Sequence, residues 1–199
     1  MQKIVYPLVA VVVCIVIAYA FLSQSTGDYV KQIEEKRFQK ERFFLSSPES
    51  PFKYKNLVKN IAYFAPKESY KVQASIEVFE TPKPVEIATS NGKSDSYLQY
   101  AYLHFELQGQ KYKLLALREK MQMPNLWVGF RDATSGKTTY GGGRYLDLAY
   151  RNGQKTITLD FNLAYNPYCA YTDGFACPIP PRENTLPTTI EAGEKDFVK

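Results

Sequence analysis

The stretch from Tyr97 to Leu117 can fold back on itself in one register that satisfies both of its faces. Tyr97 to Leu107 alternates apolar and polar residues, Gln108-Gly109 interrupts the run, and Lys111 to Leu117 resumes it. A two-residue turn at Gln108-Gly109 sets Phe105 against Tyr112, Leu103 against Leu114 and Ala101 against Ala116, with Glu106 facing Lys111. Strand side chains alternate with period two, so a slip of one residue would carry every apolar side chain to the wrong face. An antiparallel hairpin is therefore expected here, and the rest of the chain must be compatible with it.

The neighbouring segments follow the same period. Tyr70, Val72, Ala74, Ile76 and Val78 alternate with Lys71, Gln73, Ser75 and Glu77, which predicts a half-buried strand. Pro82 and Pro84 are expected to interrupt it, Val85 to Thr89 to restart it, and Asn91-Gly92 to turn it. Asn152-Gly153 suits a type I′ turn, whose two central residues need positive φ. Counting outward predicts Leu148 opposite Ile157, Leu146 opposite Leu159, and Tyr145 opposite Asp160 on the other face, with Asn162 one step along. Arg144 shares the face of Leu146 and Leu148, so it either ends the strand at a rim or finds a buried acceptor. The chain carries 16 Tyr and 12 Phe and lacks repeated strand–helix units, so the predicted class is mainly β: a small antiparallel β-barrel or β-sandwich. Hydrophobic residues at 45% and charged residues at 23% exclude a disordered chain.

The N-terminus has a different character. Ile4 to Leu22 is 19 residues without a charge; as a helix it would reach about 28 Å, near the hydrocarbon thickness of a bilayer. Lys3 and the α-amino group precede it, favouring an N-terminus inside and a domain outside the cytoplasm. Two other fates compete with a retained anchor: cleavage after Ala18-Tyr19-Ala20, and lipidation at Cys14. From Asp28 to Leu45, Tyr29, Ile33 and Phe44, with Val30 and Phe38 nearby, form an apolar stripe at helical spacing, and Asp28 could cap the helix. Pro48 and Pro51 end it. The expected organisation is thus a transmembrane helix or signal peptide in residues 1–27, an amphipathic stalk helix and linker in 28–50, and a β-rich domain in 51–199. The lipid bilayer is the expected partner of residues 4–22.

Between Trp127 and Asn184 the sequence becomes distinctive. RDATSGKTTYGGGRYLD (Arg131–Asp147), DFNLAYNPYCAY (Asp160–Tyr171), ACPIPPRENTLP (Ala176–Pro187) and AGEK (Ala192–Lys195) resemble, in residues and order, the bacterial family called domain of unknown function 1684. The resemblance runs from the stalk helix to about Lys195. It rests on Arg131, Asp132, Thr134, Gly136, Tyr140, Gly142, Gly143, Arg144 and Tyr145, and on Asp160, Asn162, Tyr165, Asn166, Pro167, Cys169, Cys177, Pro178, Glu183 and Asn184. Gly129 precedes Phe130 where the family carries proline. The N-terminal run, in a chain that resembles a bacterial family, makes the expected location the bacterial inner membrane, single-pass, with the domain in the periplasm; the resemblance itself brings no assigned activity.

The polar motifs allow three classes of function: a binding module for a small polar or anionic ligand or envelope component, a structural or assembly protein, and a carboxylate-dependent hydrolase. Candidate ligand-binding residues are Arg131, Asp132, Tyr140, Arg144, Tyr145, Asp160, Asn162, Tyr165, Asn166 and Glu183. Gly141-Gly142-Gly143 could open an anion nest, or it could form a tight turn braced by Arg–Asp pairing. It lacks the spacing of a nucleotide or dinucleotide loop, and no cofactor is expected. His104 is the only histidine, placed opposite Lys113 on a solvated face, and it supplies no triad or zinc cluster, so no metal is expected. A net charge of +5 spread along the chain gives no nucleic-acid footprint. Cys169 and Cys177 are the only cysteines beyond the N-terminal run. In an oxidising compartment they are expected to form a disulfide, stabilising by roughly 2–3 kcal/mol. The rival readings are a reduced pair and half of a metal site.

Overall fold

The structure, a computed structural model, describes residues 26–119 and 125–198. The span expected at Ile4–Leu22 lies outside these residues; no helix among them is long and apolar enough to cross a membrane.

Six antiparallel strands form one curved sheet: β1 (Lys71–Ala88), β2 (Ser94–Leu107), β3 (Gln110–Glu119), β4 (Leu126–Phe130), β5 (Arg144–Leu148) and β6 (Thr156–Asp160). Their spatial order is β5-β4-β3-β2-β1-β6, a half-barrel that neither closes nor doubles into a sandwich. The β2–β3 hairpin has the expected register, with Phe105 on Tyr112, Leu103 on Leu114, Ala101 on Ala116 and Glu106 on Lys111. Gln108 (φ 54°) and Gly109 (φ 75°) supply the two positive φ angles of its turn. Pro82 and Pro84 do not divide β1. The strand passes through them with a register shift between Val78 and Lys83, beyond the Lys71–Ser75 stretch that pairs with β6. An edge of this kind tolerates a residue without an N–H.

The expected β5–β6 hairpin is not formed. β5 pairs with β4, and β6 pairs with β1, at opposite ends of the sheet. Asn152-Gly153 still turns the chain, but only Gly153 takes positive φ. Leu146, Leu148, Ile157 and Leu159 enter the same core cluster from the two ends of the curved sheet. Their alternation is satisfied by a shared core, with no shared ladder needed.

β3 and β4 pair at Leu117 and Trp127. Asn184, fully buried, bridges these two strands: its Oδ1 accepts Leu115 N–H at 2.7 Å, and its Nδ2 donates to Leu115 O at 2.9 Å and Gly129 O at 2.8 Å. Each of these backbone groups would otherwise be unpaired in the interior. The chain then runs parallel to Arg131 through Thr185 and covers the core with Leu186, Ile190 and Ala192.

Helix α1 (residues 26–46) lies against the sheet. It is already helical at residue 26, so Asp28 lies inside it and does not cap it. Tyr29, Ile33 and Phe44 are buried as expected, but Phe38 is 53% exposed. The buried stripe is completed by two cations, Arg37 and Lys40, at the intervening helical positions. Arg37 Nη1 donates to Phe64 O at 3.0 Å, and Lys40 pairs with the buried Glu194.

Candidate functional site

Alternation along β5 turns Arg144 inward with Leu146 and Leu148, and the guanidinium is only 1% exposed. Its Nη2 donates to Asp132 Oδ2 at 2.8 Å and Ile190 O at 2.9 Å; Nη1 donates to Glu194 O at 3.1 Å and to Ala192 O. Burial lowers its pKa while Asp132 opposes the shift. Asp132 also accepts Thr134 N–H at 2.8 Å. This is the bracing arrangement: a planar fork tying β5 to the loop after β4 and to the C-terminal segment. Arg131 is half-buried, and its backbone bonds Asn184 O and Leu186 N. Of the three consecutive glycines only Gly143 has positive φ (+96°), and a Cβ there would lie 2.6 Å from Phe130 O. Gly143 therefore packs closely against β4, and the run serves as a tight turn, the second of the two readings its sequence allowed.

A second group of candidates fastens α1. Asn162, 1% exposed, donates through Nδ2 to Tyr29 Oη and Lys67 O, both at 2.8 Å, and accepts Lys67 N–H at 2.9 Å. Asp160 accepts the Tyr29 hydroxyl at 2.9 Å and Asn162 N–H at 3.1 Å. Asn166 donates its N–H to Glu194 Oε2 at 2.9 Å and Nδ2 to Lys195 O at 2.7 Å. The Asn162 amide is fully engaged by the fold, in place of the ligand contact expected for it, whereas Asn166 Oδ1 is buried with no hydrogen-bond partner among the described residues. Glu183 stands apart on the surface, accepting the Tyr102 hydroxyl at 2.9 Å.

Tyr145 and Tyr165 lead to a real opening. A cleft of about 480 Å³ lies on the sheet face opposite the main core. Pairing places its floor: Tyr97 is opposite Glu119, and Trp127 is opposite Asp147, so all four project to one side with Tyr145. Tyr165, Tyr168, Phe175, Cys177 and Pro178 complete the walls. The rings pack in sequence: Trp127 meets Tyr97 at 5.4 Å with the planes tilted by 30°, and meets Tyr145 edgewise at 4.8 Å, while Tyr145 meets Tyr165 edgewise at 5.7 Å between centroids. The Tyr145 hydroxyl is held by Pro178 O, and the Tyr165 hydroxyl donates to Asp147 Oδ2 at 2.6 Å.

Among the described residues, two carboxylates and no basic side chain line this space. Glu119 titrates above the ordinary glutamate range, first because it is partly buried and then because Asp147 and Asp95 repel its charge. Asp147 is open to solvent through the cleft, yet protein crowds its carboxyl and raises its pKa; the Tyr165 hydrogen bond and Lys40 act against that shift. A cation entering the cleft would relieve both penalties.

Cys169 and Cys177 are two free thiols here, not the expected disulfide. Hydrogen bonds occupy both sulfurs: Cys177 Sγ accepts Cys169 N–H at 3.1 Å, and Cys169 Sγ meets the Tyr140 hydroxyl at 3.7 Å. His104 lies elsewhere, 2.6 Å from Glu77, and no group of three His, Cys, Asp or Glu suits a metal among the described residues.

Eight of the ten candidates thus separate into a brace, a helix clasp and one wall of a cleft, with Glu183 and Tyr140, whose hydroxyl meets Cys169 Sγ, outside all three. The sequence reading missed Tyr97, Glu119, Trp127, Asp147, Tyr168 and Phe175. The single tryptophan was the available signal, together with strand parity linking Tyr97 to Glu119 across the correctly read hairpin.

No curated protein matches the chain. Among solved structures, it is similar to the solution NMR structure of an uncharacterized protein of Haloarcula marismortui, at 40% identity and a TM-score of 0.69, covering 86% of this chain and 96% of that one. The sequence profile of Protein of unknown function (DUF1684) matches residues 58–195, well over half of the chain, which therefore belongs to that family.

Proposed function

We propose that the protein is a binding module whose cleft takes a small organic ammonium ion. One observation carries this reading: aromatic rings and the carboxylates of Glu119 and Asp147 line a single space to which no Lys or Arg among the described residues contributes. Aromatic faces attract cations through the ring quadrupole, and a partly desolvated site strengthens that attraction. The anionic ligand expected from the arginines has no support in the geometry, because Arg144 is saturated by Asp132 and three carbonyls. For Arg144, Asn162 and Asn166 the bracing role is the better account.

The protein contains a single tryptophan, Trp127, so its fluorescence reports on this cleft alone. Choline and its uncharged isostere 3,3-dimethylbutanol should be titrated into the full chain. Charge selection worth roughly 2 kcal/mol predicts about 30-fold tighter binding of choline. Equal responses to the two compounds, or none to choline at millimolar concentration, would reject the cation reading.

A further inference from the structure

We propose that Cys169 and Cys177 form a reversible thiol–disulfide site, open to a low-molecular-weight disulfide, that tightens the loop walling one side of the cleft. The two cysteines bracket that loop. Tyr168 and Phe175 stack at 5.3 Å on the rim, while Cys177 lines the cleft itself. The backbone already brings the pair together, since Cys169 N–H points at Cys177 Sγ from 3.1 Å. The Cys177 end of the loop is anchored: Cys177 N–H is held by Ser90 Oγ at 3.0 Å, and Pro178 O by the Tyr145 hydroxyl. Residues 173–176 between them are exposed, so an oxidant can reach the loop.

The two thiols are unequal. Hydrogen bonds, first from Cys177 and then from Tyr140 and Ser90, draw the Cys169 thiol down to about 6, while the same contact pushes Cys177 up. Cys169, half-buried and met by the Tyr140 hydroxyl, is the attacking thiolate, and Cys177, buried at 7% exposure, is the resolving thiol. With glutathione disulfide as oxidant, Cys169 Sγ attacks one sulfur, forms a mixed disulfide and expels a glutathione thiolate. Cys177, no longer facing an anion, then loses its proton and attacks Cys169 Sγ, expelling the second glutathione thiolate. Two electrons pass from the cysteines to glutathione disulfide, and the two released protons end on the two glutathione thiols. The inference stands independently of what the cleft binds.

The test uses the full chain carrying Cys14→Ser, so that only this pair reports. It is equilibrated in glutathione buffers of varied ratio, quenched in acid, alkylated and weighed intact. The expected result is loss of both alkylation sites without a glutathione adduct, reversed by reduced glutathione. C177S should accumulate a mixed disulfide at Cys169, and C169S should react at least about tenfold more slowly, following its smaller thiolate fraction. In the oxidised chain, amide exchange across residues 172–176 should slow by about tenfold. Two alkylated thiols at every ratio, equal reactivity of C169S and C177S, or unchanged loop exchange after oxidation would each overturn the proposal.

Discussion

Arg144→Met keeps most of the side-chain stem and removes only the charged fork. In the folded protein this strands the Asp132 carboxylate, whose side chain is fully buried, and withdraws donors from the carbonyls of Ile190, Ala192 and Glu194. Breaking a buried pair from one side costs about 3–5 kcal/mol, because the remaining charge is left uncompensated. For a domain of this size each kcal/mol moves the melt by about 2–4 °C, so Tm should fall by roughly 6–20 °C. The assay is thermal and urea unfolding of the full chain, followed by circular dichroism, with m compared between variants to confirm the same cooperative unit. Asp132→Asn and the double variant complete a cycle: neutralising Asp132 removes the stranded charge, so the second substitution should cost less than the first alone. Arg144→Lys should fall short of the parent as well, since one ammonium cannot replace a fork spread over a carboxylate and three carbonyls. A melt for Arg144→Met within about 2 °C of the parent would refute the bracing argument, whatever the ligand assays show.

Glu119 provides a pH test. Its folded pKa is raised, so the native state holds extra proton between the ordinary glutamate value and the folded one. The stability it contributes is fully present below the unfolded value and is lost as pH rises through the folded one. Glu119→Gln should therefore gain on the parent in melts between pH 4 and pH 7, and should lose choline binding at pH 7; a stability gap independent of pH would contradict the assignment. The glycine run separates close packing from simple looseness. Gly143→Ala meets Phe130 O at 2.6 Å and Pro180 Cγ at 2.8 Å with φ at +96°, and should cost at least about 2 kcal/mol, whereas Gly141→Ala, whose nearest contact is 3.5 Å, should be close to neutral. Urea midpoints decide it, and equal losses at the two positions would defeat the packing explanation.

Local information carried the β2–β3 hairpin, the position of α1 and the family motifs. Turn chemistry at Gln108-Gly109 and the parity of Phe105 and Tyr112 need no distant partner to be read. The same reasoning at Asn152-Gly153 failed because alternation states which face is apolar and leaves open which strand lies alongside. Leu146 and Ile157 belong to one core, yet β5 and β6 reach it from opposite ends of the sheet. Arg144 was legible as an inward residue from its parity with Leu146, while its partners at Asp132, Ile190, Ala192 and Glu194 come from segments up to 50 residues away. Asn162 read as a ligand contact because its helical partner Tyr29 lies 133 residues earlier, beyond any local pattern. The cleft was the least legible feature. Its residues come from β2, β3, β4, β5 and two loops, and only the curvature and order of the sheet set Tyr97, Glu119, Trp127 and Asp147 around one space. Periodicity fixes faces within an element, but long-range packing chooses the neighbours, and a site made between neighbours exists only once that choice is made.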